Sequence, residues 1–131
     1  VLECSQRPVY ASHSDSWSLC PDFLRNLTDA QFTALVKQGG GTGINLCADF
    51  IGMTRDLAAV VAHIEHFLSL GGEKAVFLGT DFDGIWETPR GISGVEDMEK
   101  LYNALLRRNY PEALVQDIFF NNLFCILERT L

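Results

Sequence analysis

Three short apolar stretches of this chain each run into residues that can ligate a metal or move a proton. "PVYA" leads into Ser12, His13 and Ser14. "GTGI" leads into Asn45, with Asp49 four residues on. "KAVFLG" leads into Thr80, Asp81 and Asp83. An imidazole can bind a metal or exchange a proton near neutral pH, and carboxylates accept protons or ligate hard cations. Where strands run parallel, the loops leaving their carboxyl ends share one rim, and sites form there. Parallel strands would therefore bring His13, Asn45 and Asp81 to one spot. Each residue also has a plainer reading. A histidine after a strand is often only a hydrogen-bonded structural residue, and an aspartate there often closes the next turn.

The elements that must position these residues follow from periodicity. Residues 7–12 are predicted as a first strand, followed by the polar loop "SDSWSLCPDFLRN". Thr28 and Gln31 have the spacing of a helix-capping box. Phe32, Leu35 and Val36 then form an apolar stripe, and "QGGG" stops that helix. A second strand is predicted over residues 43–47. Thr54 is the expected cap of a helix over residues 55–70, where Leu57, Val60, Val61, Ile64 and Phe67 keep the 3, 4 rhythm. Residues 74–80 are predicted as a third strand, apolar enough for burial on both faces. A Gly-, Asp- and Pro-rich loop covers 81–93. Helices are expected over 94–108, over 111–120 with Pro111 at the first position, and over 122–130. This alternation implies α/β class with a parallel sheet. A sheet of three such strands leaves two edges to protect.

The chain has 131 residues, 47% hydrophobic and 21% charged, enough for one domain with its own core. Its net charge of −7, with no basic stripe, argues against nucleic acid and against an anionic membrane surface. No apolar run reaches the roughly 20 residues of a membrane span, and neither a leader pattern nor an anchor tail is expected. Cys4, Cys20, Cys47 and Cys125 form no CxxC pair. Three of the four lie in surroundings that suggest buried free thiols, which favours a reducing compartment.

Other motifs fail on inspection. "DFDG" opens like a calcium loop, but position 5 would be Ile85 and position 6 Trp86. "GGGTG" lacks the lysine of a P-loop and precedes a strand. His63 and His66 share one helix face beside the apolar stripe, without a third ligand, so a structural role is the better reading. No GxSxG is present.

Taken together and in order, "PVYASHS", "LCPDFLRNLTD", "GTGINL", "HIEH" and "FLGTDFDG" resemble the membrane (renal-type) dipeptidase family, peptidase family M19. The resemblance covers essentially the whole chain. It implies a (β/α)8 TIM barrel with two zinc ions at its carboxyl rim that hydrolyses dipeptides. A full barrel needs roughly 250 residues, so residues 1–131 correspond to about the last three βα units, strands six to eight, plus C-terminal helices. By the resemblance, His13 is a zinc ligand and Arg25 holds the substrate carboxylate. Asp81 lies near the substrate amino group and takes part in proton transfer.

The resemblance also shows what this chain lacks. The family's HxD pair, its bridging glutamate and its other histidine have no counterpart here. A catalytic zinc takes three protein ligands, so zinc retention and activity by this chain alone are not expected. The stretch between His13 and Arg25 is one residue longer than the family's usual one, and Cys125 stands where the family often has arginine. The leading expectation is a fragment of a zinc dipeptidase, cytoplasmic as in bacterial members, whose missing N-terminal half would complete the site for a dipeptide. The alternative is a non-catalytic α/β module that pairs with itself or with another half-barrel. Another metal-dependent amidohydrolase of the same fold is a lesser possibility, disfavoured by "RNLTD".

Overall fold

A computed structural model describes residues 2–131. Three parallel strands form one sheet in the order β1 (Tyr10–Ala11), β2 (Gly41–Asn45), β3 (Val76–Thr80). Helix α1 (Asp29–Lys37) connects β1 to β2, and α2 (Leu57–Ser69) connects β2 to β3. Beyond β3 come α3 (Met98–Arg107), α4 (Glu112–Gln116) and α5 (Asn122–Thr130). The α/β reading and the parallel sheet therefore hold.

The capping box forms as read from sequence. Thr28 Oγ1 accepts the Gln31 N–H at 3.2 Å, and Gln31 Oε1 accepts the Thr28 N–H at 2.9 Å. The cap of α2 is different: Asp56, not Thr54, accepts the Ala59 N–H, at 3.0 Å. Arg55 sits at φ 49, in the left-handed region, so the helix cannot begin before Asp56. Pro111 is the N-cap of α4 rather than its first helical residue, because its ψ of 138 is extended. The two predicted C-terminal helices are joined without a break through a π-helical turn, Asp117–Asn121.

The strands also differ from expectation. β1 is only two residues long, and β2 begins two residues early. The strand buried along its whole length is β2 and not β3. β2 has a neighbour on each side, whereas β3 borders the sheet, so Leu78, Gly79 and Thr80 stay half-exposed. Between Ile44 and Asn45 the β2–β3 register slips, so that Asn45 pairs with Thr80 and Gly79 is skipped.

The core lies between the sheet and its helices. Phe32 of α1 stacks on Phe67 of α2 at 4.2 Å. Val60 and Ile64 of α2 pack in the same cluster as Ile44, Leu101 and Leu105. Asn122, buried in α5, donates to the carbonyls of Glu73 and Val76 at 2.8 Å each, which ties the C-terminal helices to the start of β3. Of the four free cysteines only Cys20 and Cys47 are buried. Cys4 and Cys125 are exposed, so the expectation of three buried thiols is corrected to two.

Candidate functional site

The three strand ends do converge. His13 follows β1 with one residue, Ser12, between them. The backbone there is pinned by the Ser14 N–H to Gly43 O at 2.8 Å, and the Thr42 hydroxyl donates to Ser14 O at 2.7 Å. Ser12 Oγ lies 2.7 Å from His13 Nδ1, which leaves Nε2 to face the rim. The Ser12 carbonyl is held between two glycines. A Cβ on either Gly43 or Gly79 would sit 2.2 Å from it, so only glycine lets the three strand ends approach this closely.

Asp81 stands opposite. Its Oδ2 lies 3.6 Å from His13 Nε2. The backbone turns sharply here: Thr80 has φ 26 and Asp81 φ 68, two non-glycine residues in succession on the left-handed side. Such conformations cost about 1–3 kcal/mol each and persist where surrounding contacts impose them. Gly84 leaves room for the carboxylate, since a Cβ there would be 2.4 Å from Asp81 Oδ1. Asn45 Nδ2 donates to Asp81 Oδ2 at 3.2 Å.

Arg25 reaches the same place from the loop after β1. Its Nη2 donates to the His13 carbonyl at 3.0 Å, and its guanidinium lies 4.6 Å from the centre of the Phe50 ring. Phe50 is wedged between Phe23 and Trp86. The Trp86 indole N–H donates to Asp49 Oδ2 at 3.0 Å, and Asp49 is paired with Arg55. Among the described residues no carboxylate lies within ion-pair distance of Arg25, although six other basic or imidazole side chains are paired in this way. A guanidinium fork with spare donors and no acid is suited to an incoming carboxylate.

Beneath the rim lies a buried polar layer, of which the sequence marked only His63, read there as structural. Asp15 is fully buried. Burial pushes its carboxyl well above the ordinary range, against the opposing pull of the Asn45 N–H bond and the Arg25 charge. Its Oδ1 accepts that N–H at 3.1 Å. His63, on α2, accepts the Ser16 N–H at Nδ1, 2.9 Å away, and burial pushes its pKa down to about 4. His66 pairs instead with Asp29 at 2.7 Å. Asn26 donates to the carbonyls of Cys20 and Phe50, which closes the long loop onto the turn after β2. No periodicity marks Asp15 or Asn26; a polar residue in a loop gives no sign of its burial.

The histidines therefore divide by role. Only His13 faces the rim. His13 and Asp81 offer two donor groups, and no cluster of three or more potential metal ligands exists among the described residues. A catalytic zinc takes three protein ligands and an open position, so the residues present do not fit a complete zinc site. Among the described residues, no helix is long and apolar enough to cross a membrane.

Against known proteins, the model of the membrane dipeptidase family (peptidase family M19) matches residues 1–130. A Klebsiella pneumoniae protein, an uncharacterised product of the pqqA 5′ region, is 34% identical over 93% of this chain and 46% of its own length. Human dipeptidase 3 is 29% identical over 98% of this chain and 27% of its own length. This chain therefore spans less than half of either relative. Among solved structures, the M19 metallopeptidase dipeptidase AC superposes with TM-score 0.91 at 30% identity, over 98% of this chain and 39% of that one. A metallopeptidase from Rhodobacter sphaeroides, liganded with a phosphinate mimic of the dipeptide L-Ala-D-Ala, gives 0.92 at 30% identity, over 99% and 38%.

Proposed function

Because this chain belongs to the membrane dipeptidase family, peptidase family M19, we propose that it forms one corner of a dipeptide-hydrolysing metal site. The observation that carries this reading is the meeting of three loops at one point: His13 Nε2 lies 3.6 Å from Asp81 Oδ2, and Arg25 bonds to the His13 carbonyl. In this reading His13 is a ligand for zinc. Arg25 binds the substrate's terminal carboxylate. Asp81 accepts the substrate's amino group and serves proton transfer. The R. sphaeroides relative, with its L-Ala-D-Ala mimic, supports dipeptides as the substrate class.

The three βα units are then the last three of a (β/α)8 barrel. In support, the strands are parallel and in sequential order, and the chain overlays on just over a third of dipeptidase AC and of the R. sphaeroides metallopeptidase. The remaining zinc ligands come from outside these residues, because His63 and His66 are committed elsewhere. What this chain contributes is one imidazole, a carboxylate clamp and an acceptor for an ammonium group.

The test pairs binding with turnover. Glycyl-L-phenylalanine and its C-terminal amide are titrated into the purified chain and followed by NMR, and hydrolysis is assayed with added zinc. The acid is expected to bind saturably and the amide not at all, with no zinc-dependent hydrolysis. Efficient hydrolysis by this chain alone would overturn the shortage of ligands. Equal behaviour of acid and amide would overturn the role of Arg25.

A second reading, association through the sheet edges, is favoured by two surfaces. Among the described residues the outer edge of β1 is unpaired, and Tyr10 and Ala11 line an apolar hollow with Leu2, Val9, Leu27 and Leu35. Beside β3, Phe120 and Phe124 stack at 5.7 Å yet remain 65% and 50% exposed. Unpaired edges and apolar patches favour association, either with a second copy or with another half-barrel. A concentration-independent monomer in sedimentation would rule out self-pairing.

A further inference from the structure

We infer that Asn45 is the positioning residue that presents the Asp81 carboxylate to the amino group of a bound dipeptide, an inference that rests on the role of Asp81 proposed above. Asn45 is the last residue of β2 and is fully buried. A buried asparagine carries two amide donors and an acceptor that all need partners, and here its orientation is determined by them. Oδ1 accepts the Cys47 N–H at 2.6 Å, so Nδ2 must be the end that meets Asp81. The Asn45 backbone N–H is fastened to Asp15 Oδ1. The side chain thus has its acceptor and its main-chain anchor both satisfied, and it spends a donor on one carboxylate oxygen.

The sheet itself supplies the aim. In the regular register Asn45 would stand opposite Gly79; the slip after Ile44 sets it opposite Thr80, next to Asp81. Irregularities of this kind re-aim side chains at strand ends. Asn45 is also the only hydrogen-bond donor to the Asp81 carboxylate among the described residues, because His13 Nε2 at 3.6 Å is too distant to count as one. Only Oδ2 is held. Oδ1 has no hydrogen bond among the described residues and remains available as an acceptor. A carboxylate gripped by one oxygen and offering the other is preorganised for an ammonium group. Without the grip the carboxylate is free to rotate about its Cβ–Cγ bond.

The test compares glycyl-L-phenylalanine with N-acetyl-glycyl-L-phenylalanine, which keeps the carboxylate for Arg25 but has no ammonium group. Affinities are read by NMR titration of the whole chain. Wild type is expected to favour the free amine, and Asp81→Asn to erase that preference. Asn45→Ala is expected to reduce the preference about tenfold, the worth of a hydrogen bond to a charged group, with binding of the acetylated peptide unchanged. A preference retained in Asn45→Ala overturns the inference alone. Equal weakening of both peptides makes Asn45 a structural residue and overturns it too. Failure of wild type to bind either peptide removes the underlying reading and the inference with it. Should Asn45→Ala not fold, the wild-type Asn45 side-chain amide resonance serves instead: it is expected to shift in Asp81→Ala, and an unmoved resonance overturns the inference.

Discussion

The guanidinium of Arg25 donates to the carbonyl oxygen of His13 at 3.0 Å, twelve positions back along the chain. The loop folds back so that Arg25 stands beside His13. Asn26 and the Ser16–Leu27 bridge gather the slack behind it.

If this fork receives a carboxylate, Arg25→Lys should weaken binding of glycyl-L-phenylalanine about tenfold, because an ammonium keeps the charge but loses the two-pronged bond. Arg25→Met should weaken it further. NMR titration against the C-terminal amide separates this from a general loss of fold. Unchanged affinity in Arg25→Met would contradict the assignment.

Gly79→Ala should disturb the site through the backbone. The new Cβ would stand 2.2 Å from the Ser12 carbonyl and 2.9 Å from His13 Cα. Overpacking of this kind costs about 1–3 kcal/mol. Urea denaturation should show the loss, and the amide resonances of Ser12 and His13 should move more than those of α3. An unperturbed spectrum would mean the strand ends are looser than this geometry.

His63 should make the fold sensitive to mild acid. Its folded pKa of about 4 lies below the unfolded value of 6.5. Between those limits the unfolded chain binds the proton and the native one does not, so stability rises with pH. The contribution is fully present above about pH 6.5 and is lost as pH falls toward 4. It amounts to about 3 kcal/mol on the scale of 1.36 kcal/mol per unit. Urea midpoints at pH 7, 5.5 and 4.5 should fall in that order. In His63→Gln the fall should be clearly shallower; an equal slope would assign the effect to other groups.

Thr28→Ala should cost about 1 kcal/mol, the usual worth of an N-cap side chain. Here it removes the acceptor for the Gln31 N–H and one half of the capping box. Thermal or urea unfolding measures it. Thr28→Ser, which keeps the hydroxyl, should recover most of the loss.

Local order was legible because local physics writes it. The 3, 4 rhythm from Leu57 to Phe67 marked α2 within a few residues, and Thr28 with Gln31 marked the start of α1. The ends that failed were those decided by backbone angle. Arg55 in a left-handed conformation moved the cap from Thr54 to Asp56, and nothing in its side chain announces that. β1 shrank to two residues because a strand exists only where a partner pairs with it, and β2 meets it at Gly41 and Thr42 alone.

By itself, then, the sequence determined the class of fold and the family resemblance; residue type at the strand ends singled out His13 and Asp81, and the resemblance alone pointed to Arg25. The sequence also placed Asn45 at a strand end, without a task. Tertiary structure alone decided how these residues meet. The register slip after Ile44, the left-handed turn at Thr80 and Asp81, and the close approach allowed by Gly43 and Gly79 are long-range outcomes of packing three strand ends together. The burial of Asp15 and His63 belongs to the same category, because desolvation depends on what folds over a group and not on its neighbours in sequence.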